Sequence, residues 1–149
     1  MATAQLFGEL FGNLGKGVHA WASPNLKVAF SNTDLALDTG QTLSDVTEIS
    51  TAGGYPAGGV SLDSEVWEET AGGSNIWRLV TADEVFTASG ADTDAFRYLY
   101  LYDDTPTSPA DPLIAKLDMG SSQAVTDGNT LTIDVGTNGW VLFGPGTVA

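Results

Sequence analysis

The run FRYLYLY (residues 96–102) constrains the fold more than any other stretch of this chain. Side chains alternate between the two faces of an extended strand. Phe96, Tyr98, Tyr100 and Tyr102 therefore share one face, and Arg97, Leu99 and Leu101 share the other. Aromatic residues on one side and leucines on the other suit a central strand covered on both faces. Such a strand needs a neighbour on each edge and packed layers above and below.

The rest of the chain supplies matching texture. LKVAF (26–30) reads as a buried strand, 61–68 alternates, and 76–80, 83–87, 113–118, 130–135 and 140–143 are further short apolar runs. The segment AGGSN (71–75) suggests a hairpin between its neighbours, and Asn138-Gly139 predicts another between 130–135 and 140–143, because both residues tolerate positive φ. SNTDLALDTGQ (31–41) reads as a loop turning at Asp38-Thr39-Gly40. No strand–helix alternation follows residue 20, so a parallel α/β sheet is disfavoured. The expected class is all-β, an antiparallel β-sandwich or Greek-key barrel, forming one domain over residues 1–149.

One helix is expected, over residues 2–14. Leu6, Phe7, Leu10, Phe11 and Leu14 form an apolar stripe at helical spacing, with Thr3 as a cap and Gly15 at the end. So short a helix depends on docking, either on its own domain or on a neighbouring subunit.

Charge narrows the partners. The chain carries 5 basic and 19 acidic residues, a formal net charge of −14. That field repels nucleic acid, whose binding needs Lys and Arg against phosphate, and anionic lipid surfaces. The acidity serves either as a solvated, self-repelling surface or as a patch that seeks a basic partner. With 0 cysteines, disulfides, thiolate catalysis and cysteine-based metal sites are excluded. No apolar run approaches a membrane span, and MATAQLFGELFGNLGKG lacks the pattern of a secretory signal.

Chemistry-bearing motifs are absent. The single histidine, His19, lies in an apolar context between Val18 and Trp21, without a G-x-S-x-G elbow, and reads as a packed or surface residue. Glu65, Glu68, Glu69, Asp83 and Glu84 fall near Trp67 and Trp77, as paired glycosidase acids would, but so acidic a chain produces such neighbours by chance. Asp92/Asp94 and Asp103-Asp104 do not complete a calcium loop. GGYPAGG (53–59) resembles a phosphate cradle only in its glycines: a strand rather than a helix follows, and no Lys or Arg lies between Lys27 and Arg78. The expectation is a protein without catalytic residues, cofactor or metal, in which Tyr55 serves packing or contact.

Taken in order, the N-terminal helix, LKVAFSNTD (26–34), DVTEISTAGGYPAGGVSL (45–62), FRYLYLYDD (96–104), PLIAKLDMG (112–120) and NTLTIDVGTNGWVLF (129–143) resemble a group of small structural proteins of tailed bacteriophages. The resemblance spans roughly residues 4–143, and its most specific element is Ile49-Ser50 through Tyr55, Ala57, Gly58 and Gly59. It departs from that group in its acidity and its shortened Asp63–Ser74 region. The resemblance implies a virion component assembled in the host cytoplasm, most concretely a capsid decoration (cement) protein clamped on the outside of the head. Its partners would then be the major capsid protein or other virion proteins, with self-association, a trimer being favoured, and no role for nucleic acid or membrane. The alternative is a tail, neck or fibre-base component, with Trp67, Trp77 and Trp140 stacking on sugar rings. Candidate contact residues are Leu6, Phe7, Leu10, Phe11, Trp21, Tyr55 and Trp140, with core packing as the competing role for each.

Overall fold

The computed structural model describes residues 3–70 and 75–145. Strand β7 (Phe96–Asp103) lies in the middle of a five-stranded antiparallel sheet, between β2 (Leu26–Ser31) and β8 (Leu113–Gln123). β1 (Thr3–Leu6) and β3 (Val60–Ser61) close the two edges, giving the order β1-β8-β7-β2-β3. The all-β expectation holds, with a single α-helix among the described residues, α1 (Gly8–Gly15), near the N-terminus.

Both faces of this sheet are covered, as the alternation in FRYLYLY requires. Leu99 and Leu101 join Val28, Phe30 and Ala115 on one face. That face packs on Leu79 of β5 (Trp77–Val80) and Val141 of β10 (Val141–Phe143), and on Phe86 of β6 (Glu84–Thr87) and Ile133 of β9 (Thr130–Ile133). β5 and β10 belong to a three-stranded sheet completed by β4 (Val66–Glu69), and β6 pairs with β9 alone. Together these two smaller sheets form the second layer of a sandwich. Tyr98, Tyr100 and Tyr102 face the other way, beneath Phe7 and the loop residues Leu35, Leu37, Leu43 and Val46. Each such apolar side chain contributes about 1.5–3 kcal/mol on burial.

The loop over the tyrosines is anchored by polar groups. Tyr100 accepts a bond from the Leu35 amide and donates to the Thr33 carbonyl, both at 2.8 Å. Burial pushes its phenol up to about 12. Lys116 Nζ, from β8, meets Asp34 at 2.6 Å and the Leu35 carbonyl at 3.1 Å. The loop also turns where expected, with the Gly40 amide bonding to the Ala36 carbonyl at 3.0 Å.

Four expectations need correction. Phe96 does not share the tyrosine face: the register shifts between Phe96 and Tyr98, and Phe96 stacks on Phe30 at 4.7 Å in the leucine layer. The N-terminal helix does not begin at residue 2, because Thr3–Leu6 pair with β8 as a strand and extended Phe7 (φ −74°, ψ 143°) precedes the helix. Residues 61–68 do not form one strand. β3 adds to the large sheet and β4 to the small one, and the segment between them crosses from layer to layer through Ser64 at φ 58°. The 130–135 and 140–143 runs do not pair as a hairpin either: β9 pairs with β6 and β10 with β5. The expected β4–β5 hairpin does form, although residues 71–74 of its turn lie outside the described residues.

An ion pair between β7 and β8 makes stability depend on pH. Arg97 holds Asp118 bidentately at 2.8 and 2.9 Å, and the Gly120 amide adds a bond of 2.8 Å. These contacts lower the Asp118 carboxyl from its ordinary 3.8 to about 2. A carboxyl depressed in the folded state stabilises above its unfolded value and loses that contribution as pH falls through its folded one. Side-chain NMR titration is expected to place the Asp118 midpoint near 2. Asp118→Asn should flatten the acid limb of the stability profile.

Candidate functional site: an aromatic cavity at one end of the sandwich

The chain leaving α1 turns back toward the large sheet, where the Val18 amide bonds to the Asn13 carbonyl at 2.9 Å. The turn delivers His19 to the end of β7. There His19 Nδ1 lies 2.9 Å from Asp103 Oδ2, with both side chains wholly buried. The second oxygen of Asp103 accepts from the Thr105 amide at 3.0 Å, so the carboxylate is held from both sides. A carboxylate only accepts, hence Nδ1 carries the proton in this pair.

Aromatic rings extend outward from the histidine. Trp21 lies 5.6 Å from His19 and 4.9 Å from Trp67, while Phe143 lies 5.9 Å from Trp67 and 6.2 Å from Trp21. Leu14, His19, Trp21, Ala22, Trp67 and Phe143 enclose a cavity of about 340 Å³ that is open on one side. Two further rings continue this cluster outward and are substantially exposed. Phe11 sits edge-on to Phe143 at 6.1 Å and is 55% exposed; Trp77 stacks on Trp67 at 5.9 Å and is 41% exposed. Two buried nitrogens, His19 Nε2 and Trp21 Nε1, have no hydrogen-bond partner. None of the lining residues carries a hydroxyl or carboxyl, and the His19 side chain is itself wholly buried, so the walls of the cavity are apolar.

The seven candidate contact residues divide sharply. Phe7, Leu10, Trp21 and Tyr55 are buried in this chain's own core, and Leu6 and Trp140 are half-buried. Leu10 shows that the helix docks on its own domain. Trp140 donates from Nε1 to Thr81 Oγ1 at 3.2 Å. Phe11 alone presents its ring to solvent. The helical stripe was misread because Phe7 belongs to the tyrosine layer and Leu10 to the leucine layer, on opposite faces of the sheet. His19 is packed, as expected. Its partner Asp103 and the neighbouring Phe143 lie far away in sequence, and no local signal joins them.

The other motifs are accounted for by structure. In GGYPAGG, the Tyr55 hydroxyl donates to Glu48 at 2.7 Å and accepts from the Phe30 amide at 3.0 Å, while the Gly58 amide reaches Glu48 at 3.0 Å. Burial, then the Glu48 bond, raises the Tyr55 phenol well above its ordinary value. Tyr102 donates to the Gly58 carbonyl. The hollow beside this loop includes Lys27, but also Asp63 and Glu84, and Lys27 is paired with Asp104 at 2.7 Å. That arrangement disfavours phosphate. Tyr55→Phe is expected to cost about 1–3 kcal/mol, read by urea denaturation, because it leaves the buried Phe30 amide without its acceptor.

The acidic residues serve as local braces. Glu68 pairs with Arg78 at 2.6 Å, Glu65 accepts from the Leu26 amide at 3.3 Å, and Glu69 from the Asn75 amide at 2.7 Å. Asp92 and Asp94 tie loops together through the Asp127 and Ser50 amides. Among the described residues, no group of three or more His, Asp or Glu side chains is placed to hold a metal ion, and no helix is long and apolar enough to cross a membrane. Comparison with known protein families, curated proteins and solved structures finds no match to this chain.

Proposed function

We propose that this chain is a structural protein of a tailed-bacteriophage particle, acting as a decoration protein on the outer surface of the assembled head. The observation that carries this reading is the aromatic end of the sandwich, where Phe11 and Trp77 lie exposed beside an open, apolar cavity. Exposed aromatic rings bordering a pocket are the composition of a protein contact rather than of an inert surface. The ordered sequence blocks shared with small phage structural proteins supply the kind of particle. The acidity of the remaining surface favours a partner with basic groups around an apolar centre, and repels nucleic acid.

Such a protein acts by adhesion. Each copy buries its aromatic end against the shell, and many copies on one particle give firm attachment from modest individual contacts. Purified protein mixed with bare heads should co-sediment with them and raise their melting temperature. Phe11→Ser should keep the fold within about 0.5 kcal/mol, since the ring is exposed. It should nevertheless weaken attachment about tenfold or more, as loss of an interface anchor does. Heads that take up no protein would refute the proposal.

A further inference from the structure

Two strand edges stand unpaired beside one hollow. β3 ends the large sheet beyond β2, and β6 has β9 as its one neighbour, so among the described residues each shows a free edge. In an antiparallel pair, every second residue turns both its N–H and its C=O to the partner strand, and the residues between turn theirs away. The Ala88 amide bonds to the Asn129 carbonyl and its carbonyl accepts from Gly128, so Ala88, Phe86 and Glu84 turn to β9. Val85 and Thr87 therefore turn their backbone groups away from it. On β3, the Leu62 amide bonds to the Leu26 carbonyl, which by the same alternation leaves Ser61 turned away from β2.

The hollow has a volume of about 590 Å³ and is lined by all four residues of β6 and both of β3. Backbone bonds pin the two sides together beyond each end, from the Ala82 amide to the Asp63 carbonyl at 2.9 Å and from the Ser89 amide to the Gly53 carbonyl at 3.0 Å. Between these joints β6 runs for about 13 Å. A free edge is a template on which an extended chain adds as a further strand. Edges that must stay unpaired are blunted by proline, lysine or a bulge. β6 reads EVFT, pairs with β9 in unbroken register, and leaves apolar Val85 52% exposed.

Charge selects what enters. Asp63 and Glu84 line the hollow beside the Ala82 joint, and the one cation that lines it, Lys27, is held by Asp104 at 2.7 Å. We infer that β6 takes an extended segment of a partner protein as an added strand, with a Lys or Arg of that segment set against Asp63 and Glu84. A second copy of this chain does not fit. Of its 5 basic residues, Lys27, Arg78, Arg97 and Lys116 are paired with its own acids, and Lys16 closes helix α1. It would also bring a further net charge of −14 to the acidic end of the hollow. The hollow shares no lining residue with the aromatic cavity, so this contact stands independently of the head as partner.

The test is an NMR titration of the ¹⁵N-labelled chain with three peptides. They are acetyl-TVKVT-amide, its counterpart with Glu in place of Lys, and the Lys peptide N-methylated at every residue, which keeps its side chains but donates no main-chain bond. In the free protein, the Val85 and Thr87 amides should exchange with solvent at least about tenfold faster than those of Phe86 and Ala88. The Lys peptide should shift the Val85 and Thr87 amides saturably and slow their exchange about tenfold or more. The Glu peptide should bind about tenfold more weakly, and the N-methylated peptide should not bind. These comparisons need no variant of the protein. Slow exchange of Val85 and Thr87 in the free protein would overturn the inference, as would equal binding of the Lys and Glu peptides or retained binding after N-methylation. So would the absence of a saturable shift up to about 10 mM peptide, where even a millimolar Kd shows. Shifts confined to Phe11 and Trp77 would remove this site and leave the aromatic contact standing, and failure to bind heads would leave the peptide result untouched.

Discussion

Replacing Gly59 with alanine is expected to cost about 3 kcal/mol or more of folding stability, measured as the loss in urea midpoint at unchanged slope. Gly59 sits at φ +90°, where an L side chain is strained by itself. A Cβ there would also lie 2.7 Å from the Val28 carbonyl carbon and 2.9 Å from the Ala29 nitrogen. That backbone cannot easily yield. β2 pairs with β7 along one side, and on the other Val28 is the register partner of Val60, the residue after Gly59. Gly128→Ala provides the comparison, because Gly128 has φ +79° but nothing within 4 Å of an added Cβ. It should lose only about 1 kcal/mol, the strain without the collision. Equal losses at the two positions would mean that the close approach of GGYPAGG to β2 does not matter.

Asp103→Ala is expected to be comparably damaging, at about 3 kcal/mol. It strips the His19 side chain of its one hydrogen-bond partner among the described residues, in a site where both side chains are wholly buried, and it leaves the Thr105 amide without its acceptor. Asp103→Asn keeps an acceptor of the same shape and should cost less than half as much. Tryptophan emission should report the change as well as the denaturation midpoint, since His19 packs against Trp21. An alanine variant within about 0.5 kcal/mol of the parent would show that His19 is not held by Asp103.

Much of the fold was legible in the sequence, and the reason is local. Leu99 and Leu101 alternate with Tyr98, Tyr100 and Tyr102, and that period alone places β7 at the centre of a doubly covered sheet. The errors arise where a distant partner decides. Thr3–Leu6 carries enough of a helical stripe to mislead, but the free edge of β8 captures it as a strand. The chain turns between Gly136 and Gly139, with Gly139 but not Asn138 at positive φ, and the Trp140 amide bonds to the Leu79 carbonyl and directs β10 to β5 instead of β9. Phe96 changes face because β8 slips in register, from Gln123 opposite Phe96 to Asp118 opposite Tyr98.

The site was less legible than the fold. Trp21, Trp67 and Trp77 were each visible as aromatics, but a tryptophan among strands reads as core until its exposure is known. Only the structure distinguishes Trp77, in the outer part of the aromatic cluster, from Trp21, inside it. His19 and Asp103 are separated by 84 positions, so no spacing rule links them. GGYPAGG, the most specific block of the phage resemblance, proves to be a brace for β2 rather than a site, through Tyr55 and Gly59.

The most direct measurement is a cryo-electron microscopy map of the intact particle assembled with this chain. Density for a two-layered β domain is expected on the outer head surface, in many copies. Phe11 and Trp77 should be buried against the shell. Density confined to the tail, or a head-bound domain with Phe11 and Trp77 facing solvent, would contradict it.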